Sequence, residues 1–151
     1  MALIYPPKVG EIFMCEFPPC LVEPEMIKTR AVIVVSPKCD GRKMLWTVVP
    51  LSLTPPDPIR AYHCLVPARF LPKGMRATGG DRWAKCDMVY SLCQDRLTLC
   101  RGSKDRTTGK RVYDKGRVDL AHLQQIRCCI AQSLGIGKDL FIEKIPDKTA
   151  A

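Results

Sequence analysis

The sequence lacks any apolar run able to span a bilayer. Its longest uncharged stretch, the 13 residues from Met44 to Pro56, is broken by prolines and falls short of the ~20 a spanning helix needs. No secretory leader is expected either, because Met1-Ala-Leu-Ile-Tyr-Pro-Pro7 has neither a basic opening nor a sufficient apolar stretch. Histidine is scarce, with only His63 and His122. Zinc sites and histidine-dependent nucleophiles therefore have few donors, and although a Cys–His pair stays open, nothing places the partners together. Gly79-Gly80 lacks the lysine and helix start of a phosphate-binding loop, which excludes nucleoside triphosphate binding of that kind. Acidic residues are the minority: 24 Lys+Arg stand against 15 Asp+Glu, a formal net charge of +9. That surplus favours a polyanionic partner, without saying which.

Cysteine, by contrast, is abundant. The nine thiols, an odd number, are expected to be free in a reducing, cytoplasmic setting. Cys15 and Cys20 are separated by four residues, but no second pair of that kind follows. His63-Cys64 and Cys128-Cys129 are adjacent, so their side chains diverge on a strand or helix. Cys86, Cys93 and Cys100 recur every seven residues without a histidine. No metal site and no cofactor are expected.

With 151 residues and ordinary globular composition, the chain is expected to form one domain over 1–151, with a core of about 9–136 and a tail of 137–151. Strands are predicted over Val9–Phe17, over Ala31–Ser36, whose β-branched run suggests burial on both faces, and over Met44–Leu51. Further strands are predicted over Ala61–Val66 and Trp83–Leu92. A hairpin is expected from Arg96–Arg101 and Lys110–Tyr113. Pro18–Thr29 and Pro72–Arg82 read as loops, the second basic and mobile. Asp119 is a good N-cap, and Leu120, Leu123, Ile126, Ile130 and Leu134 follow helical spacing to Gly135. Many short strands before one amphipathic helix imply a mainly β (α+β) fold, a small curled sheet or barrel with the helix packed on it.

Four segments carry the potential chemistry: Glu25-Met-Ile-Lys28-Thr-Arg30, Val48-Val-Pro50-Leu-Ser52, the basic stretch Lys73–Arg82, and Trp83-Ala-Lys85-Cys-Asp87. On one continuous strand, Lys85 and Asp87 would share a face. Gly10-Glu-Ile, Thr29-Arg30-Ala-Val-Ile-Val-Val-Ser36, Val48-Val-Pro50-Leu-Ser52 and Lys85-Cys-Asp87-Met-Val-Tyr-Ser91 occur in the order seen in PemK/MazF-type toxins, which the chain resembles over roughly 9–136. Those are small, metal-independent endoribonucleases of bacterial toxin–antitoxin systems. The resemblance implies an SH3-like barrel, usually a homodimer, which binds single-stranded RNA in a groove shared by the subunits. It also implies an antitoxin whose acidic tail occupies that groove.

Carried over residue by residue, the resemblance assigns catalytic roles to Arg30, Glu25, Ser52, Asp87 and Lys85. Ser52 stands where the family usually has threonine, and Lys85 where PemK-like members have arginine. RNA is cut without metal when its 2′-hydroxyl attacks the adjacent phosphate, leaving a 2′,3′-cyclic phosphate. Such attack needs a base (Asp87 or Glu25), an acid (Lys85), and charge stabilisation (Arg30 with the Ser52 hydroxyl). Lys28, Lys73, Arg76, Arg82, Lys110 and Arg111 are the expected RNA-binding cations.

Other readings stand beside these. Arg30 is also placed to pair structurally with Glu23, Glu25 or Asp87. Segment 101–117, with seven Lys+Arg and two Asp, forms a solvated hairpin that doubles as a phosphate-binding edge. Tyr62, Tyr90 and Tyr113 lie near basic residues and have rings suited to base stacking. The departures at Ser52 and Lys85 leave open a non-catalytic nucleic-acid-binding or regulatory module on the same barrel. A cysteine-based redox or metal protein is the third reading.

Overall fold

The computed structural model describes residues 3–38 and 41–137. Its strands are β1 (Glu11–Cys15), β2 (Arg30–Val34), β3 (Leu45–Ser52), β4 (His63–Val66), β5 (Arg82–Lys85), β6 (Tyr90–Cys93), β7 (Leu97–Thr98), β8 (Cys100–Lys104), β9 (Arg111–Asp114) and β10 (Gly116–Arg117). Two helices accompany them, α1 (Lys73–Arg76) and α2 (Leu120–Ser133). The main sheet is antiparallel and runs β10-β1-β2-β3-β5-β4, with β6 on β3 and β7 on β1, while β8 and β9 form a separate ribbon. The result is the expected mainly β fold, a curled half-barrel with one C-terminal helix.

Register explains why β2 is apolar throughout. Ile12 faces Ile33, which faces Val49, whereas Phe13 faces Val32, which faces Pro50. Successive residues point to opposite sides of the sheet, so each side collects alternate members of these strands. One side, with Ile12, Ala31, Ile33, Val49 and Leu51, packs on Leu123, Ile126 and Cys129 of α2. The other, with Phe13, Cys15, Val32, Val34 and Val48, closes over Trp46, Leu92 and Leu97. Both sides are dry at β2, as the β-branched run implied.

Curling centres on β3. Leu45 to Val48 pair with β6, whereas Leu51 and Ser52 pair with β5. Pro50 has no N–H to offer and sits at this change-over, where the ladder on that side passes from one neighbour to the next. The predicted single strand Trp83–Leu92 is therefore two strands, separated by a turn in which the Met88 amide donates to the Lys85 carbonyl at 2.9 Å. Pro72–Arg82 is not an open loop. It holds α1 and is tied down by Arg82.

In α2, Asp119 caps the helix by accepting from the His122 amide at 2.8 Å. Gly135, at φ +73°, supplies the left-handed residue that ends it. The predicted apolar stripe is buried only in its middle. Leu120 and Leu134 are 77% and 68% exposed, and Cys129 and Ala131 complete the buried face alongside Leu123 and Ile126. No described helix is long and apolar enough to cross a membrane. The predicted tail lies outside the described residues except for position 137.

Candidate functional site

The sheet register aligns the central candidates. Continuing the Val32–Pro50 pairing by two residues brings Arg30 level with Ser52, and Ser52 pairs with Trp83. One step further along, Lys85 pairs with His63. Paired residues share a face, so Arg30, Ser52, Trp83, Lys85 and His63 all belong to the side turned away from α2. They lie along the rim where the second core runs out.

Arg30 is half buried, and its Nε has no hydrogen-bond partner. Among the described residues, no ion pair joins it to Glu23, Glu25 or Asp87; the ion pairs there are Lys115–Glu11 and Asp119–His122. A buried guanidinium nitrogen left without an acceptor is a standing donor for an anion. Arg30 lines a cleft of ≈ 380 Å³ together with Glu23, Pro24, Glu25, Met26, Ile27 and Lys28. Tyr90 holds this loop over the sheet: its hydroxyl accepts from the Met26 amide at 2.9 Å, and its ring packs edge-on against Phe17 with centroids 5.0 Å apart. The Glu25 carboxylate accepts from the Val22 amide at 2.7 Å, which fixes the turn and leaves carboxylate lone pairs open. Glu25, Lys28 and Arg30 thus share one wall.

The Ser52 hydroxyl oxygen accepts from the Thr54 amide at 3.2 Å, so its proton remains available to donate. Lys85 ends β5, and Asp87 stands exposed in the following turn. The same-face spacing expected for these two therefore does not hold, because the strand stops between them. Their neighbour is His63, which sequence spacing did not assign. Its Nδ1 accepts from the Arg60 amide at 3.0 Å, which leaves the proton of the neutral ring on Nε2. Burial holds the imidazole pKa below 6.5, the Lys85 and Arg60 cations push the same way, and Asp87 opposes them. His63 therefore presents a neutral Nε2–H at neutral pH.

The remaining cations divide. Lys73 and Arg101 line a second cleft, ≈ 490 Å³, between α1 and the β8–β9 ribbon. Lys110 and Arg111 are exposed on the ribbon beyond it. Arg76 is exposed but donates to the carbonyls of Leu71 at 2.7 Å and Arg69 at 2.6 Å. Arg82, expected to face RNA, is 4% exposed. Its guanidinium donates to the carbonyls of Gly79, Gly80, Asp81 and Met75, pinning the α1–β5 connection from inside.

The thiols are mostly buried. Cys64, Cys86 and Cys129 meet beneath α2, and burial pushes the Cys64 thiol up to about 12 and raises the other two. Among the described residues, no group of three or more His, Cys, Asp or Glu is arranged to hold a metal ion. Cys39 lies outside the described residues.

Fold and site together define a small, basic half-barrel with a cationic rim suited to an extended anion. The chain belongs to the PemK-like, MazF-like toxins of type II toxin–antitoxin systems, whose family model matches residues 8–134. It is 33% identical to YifN of Escherichia coli (strain K12) over 118 residues, which cover 67% of this chain and 78% of that protein. Its fold is similar to MazF from Deinococcus radiodurans, at 18% identity and a TM-score of 0.59, covering 87% of this chain and 98% of that one. A mycobacterial endoribonuclease, solved in complex with its cognate antitoxin, gives a TM-score of 0.54 at 18% identity and the same coverages.

Proposed function

We propose that the chain is a cytoplasmic endoribonuclease toxin that cuts single-stranded RNA without a metal and is neutralised by an acidic antitoxin. The observation that carries this reading is the unpaired, half-buried Arg30, level with Ser52 and sharing its cleft with Glu25. Arg30 and the Ser52 hydroxyl bind the scissile phosphate, where they meet the extra charge of the pentacoordinate transition state. Glu25 or Asp87 takes the 2′-hydroxyl proton. The 2′-oxygen then bonds to phosphorus as the bond from phosphorus to the 5′-oxygen breaks. Lys85 gives a proton to that leaving oxygen, since a lysine ammonium releases one far more readily than a guanidinium does. The products are a 2′,3′-cyclic phosphate and a free 5′-hydroxyl.

Family membership supports the toxin assignment. The solved complex of a similarly folded mycobacterial endoribonuclease with its cognate antitoxin supports an antitoxin partner. A homodimer sharing one groove completes the reading, because two copies of the rim would accommodate a longer strand than one.

The test is incubation of the purified chain with mixed-sequence single-stranded RNA in EDTA. Fragments ending in 2′,3′-cyclic phosphate are expected, and Arg30→Ala should slow their appearance by about 10²-fold or more, as for loss of one oxyanion donor. If no RNA is cleaved at any protein excess while salt-sensitive binding persists, the non-catalytic module on the same barrel is correct instead.

A further inference from the structure

The ribbon formed by β8 and β9 stands apart from the main sheet, and its charges are unusually free. Segment 101–117 holds seven Lys+Arg but only Asp105 and Asp114 as acids. Both acids are engaged by backbone amides. Asp105 accepts from Thr107 and Thr108 at 2.8 Å each, and these bonds hold its carboxyl below the usual range. Asp114 accepts from the Lys73 amide at 3.0 Å and the Lys115 amide at 2.8 Å. Among the described residues, neither Asp forms an ion pair with a cation, so Arg101, Lys104, Arg106, Lys110 and Arg111 stay free to meet an anion, and the segment keeps a net positive field.

Beneath that field lies a shaped cavity. A Cβ added to Gly74 would lie 2.7 Å from the Arg101 carbonyl oxygen and 3.0 Å from the Gly102 Cα, so α1 packs backbone to backbone on β8. This contact fixes one wall of the ≈ 490 Å³ cleft, and Lys73, Arg101 and Tyr113 line its opening. Tyr113 pairs directly with Arg101 across the ribbon and is 39% exposed. An aromatic face sharing one cleft with two cations suits a base and its flanking phosphates. The cleft adjoins the proposed catalytic rim through one of its lining residues. Thr78 lines it, and the next residue, Gly79, approaches Leu53, which follows Ser52.

We infer that the cleft between α1 and the β8–β9 ribbon is a second nucleotide subsite. One base of a single-stranded RNA stacks there on Tyr113, while Lys73 and Arg101 hold the flanking phosphates. The inference rests on the ribonuclease reading above and extends it from the scissile phosphate to a flanking nucleotide.

Fluorescence anisotropy with labelled, non-cleavable 2′-O-methyl RNAs of about 12 and about 4 nucleotides tests it, since strand-binding sites on small barrels span that range. Tyr113→Ala should weaken binding of the longer RNA about tenfold or more. It should leave unchanged the binding of the shorter RNA, which Arg30 governs. Tyr113→Phe keeps the ring and should keep the affinity. Tyr113 is substantially exposed, so an unchanged thermal midpoint serves as the folding control. If the wild-type chain binds the longer RNA and Tyr113→Ala changes nothing, or weakens both RNAs equally, the subsite is overturned and the ribonuclease reading stands. If Tyr113→Ala abolishes binding of polyglutamate but spares the longer RNA, the cleft is a protein-docking surface and the inference again fails. A wild-type chain that binds neither RNA overturns both readings.

Discussion

At the scale of single residues, His63 shows how a site can be assembled from parts that sequence spacing does not connect. Its pairing with Lys85 depends on β4 and β5 being neighbours, and its tautomer depends on the Arg60 amide. Spacing along the chain reports neither. Glu25, Lys28 and Arg30 were legible together because one short loop carries them all. His63 also has a measurable consequence. Its pKa is lowered in the folded chain by burial and by Lys85 and Arg60, against the pull of Asp87, so the unfolded chain binds the proton more readily. The stability contribution is therefore complete above the unfolded pKa near 6.5 and is lost as pH falls through the folded value. Denaturant melts between about pH 8 and pH 5 should show the wild type losing more stability than His63→Gln, which cannot charge. Parallel curves for the two chains would show that His63 does not titrate differently on folding.

Secondary-structure elements were legible where local pattern and tertiary demand agree. The β-branched run of β2 signalled burial on both faces, and both sides of the sheet are dry there. Asp119 and Gly135 bounded α2 because capping chemistry is local. The break between β5 and β6 was illegible, because Cys86-Asp-Met-Val89 contains no glycine or proline to mark a turn. That turn arises because β3 changes partners, a long-range demand that leaves no local trace. The ends of α2's stripe failed for a related reason: the sheet beneath covers only the helix's middle, so periodicity overstated the contact. These burials separate two substitutions on the same stripe. Ile126 is fully buried against the sheet, and Ile126→Ala should cost about 2–5 kcal/mol through lost transfer energy and a cavity. Leu134 is 68% exposed, and Leu134→Ala should stay within about 0.5 kcal/mol. Urea unfolding of both variants would check the pair, and equal losses would contradict the burial described.

Across the whole molecule, net charge alone does not reveal which cations meet a polyanion. Arg82 counts toward the surplus of +9 yet lies inside, bonded to four carbonyls, whereas Lys28, Arg30, Lys73, Lys85 and Arg101 line the rim or its adjoining cleft. Counterion release turns this distinction into a slope, because each phosphate neutralised on a single strand contributes about −0.7 to the logarithmic dependence of affinity on salt. Engagement of those five cations would give a slope of about −3.5, and Lys73→Ala with Arg101→Ala should reduce its magnitude by about 1.4. Arg82→Met makes the opposite prediction. It removes the guanidinium from which four carbonyls accept and should lower stability by about 1–3 kcal/mol, while leaving the salt slope of the folded protein unchanged. Titrating a non-cleavable single-stranded RNA at several salt concentrations distinguishes the two groups of cations. A slope that falls by about 0.7 in Arg82→Met would place that guanidinium on the RNA, against its burial.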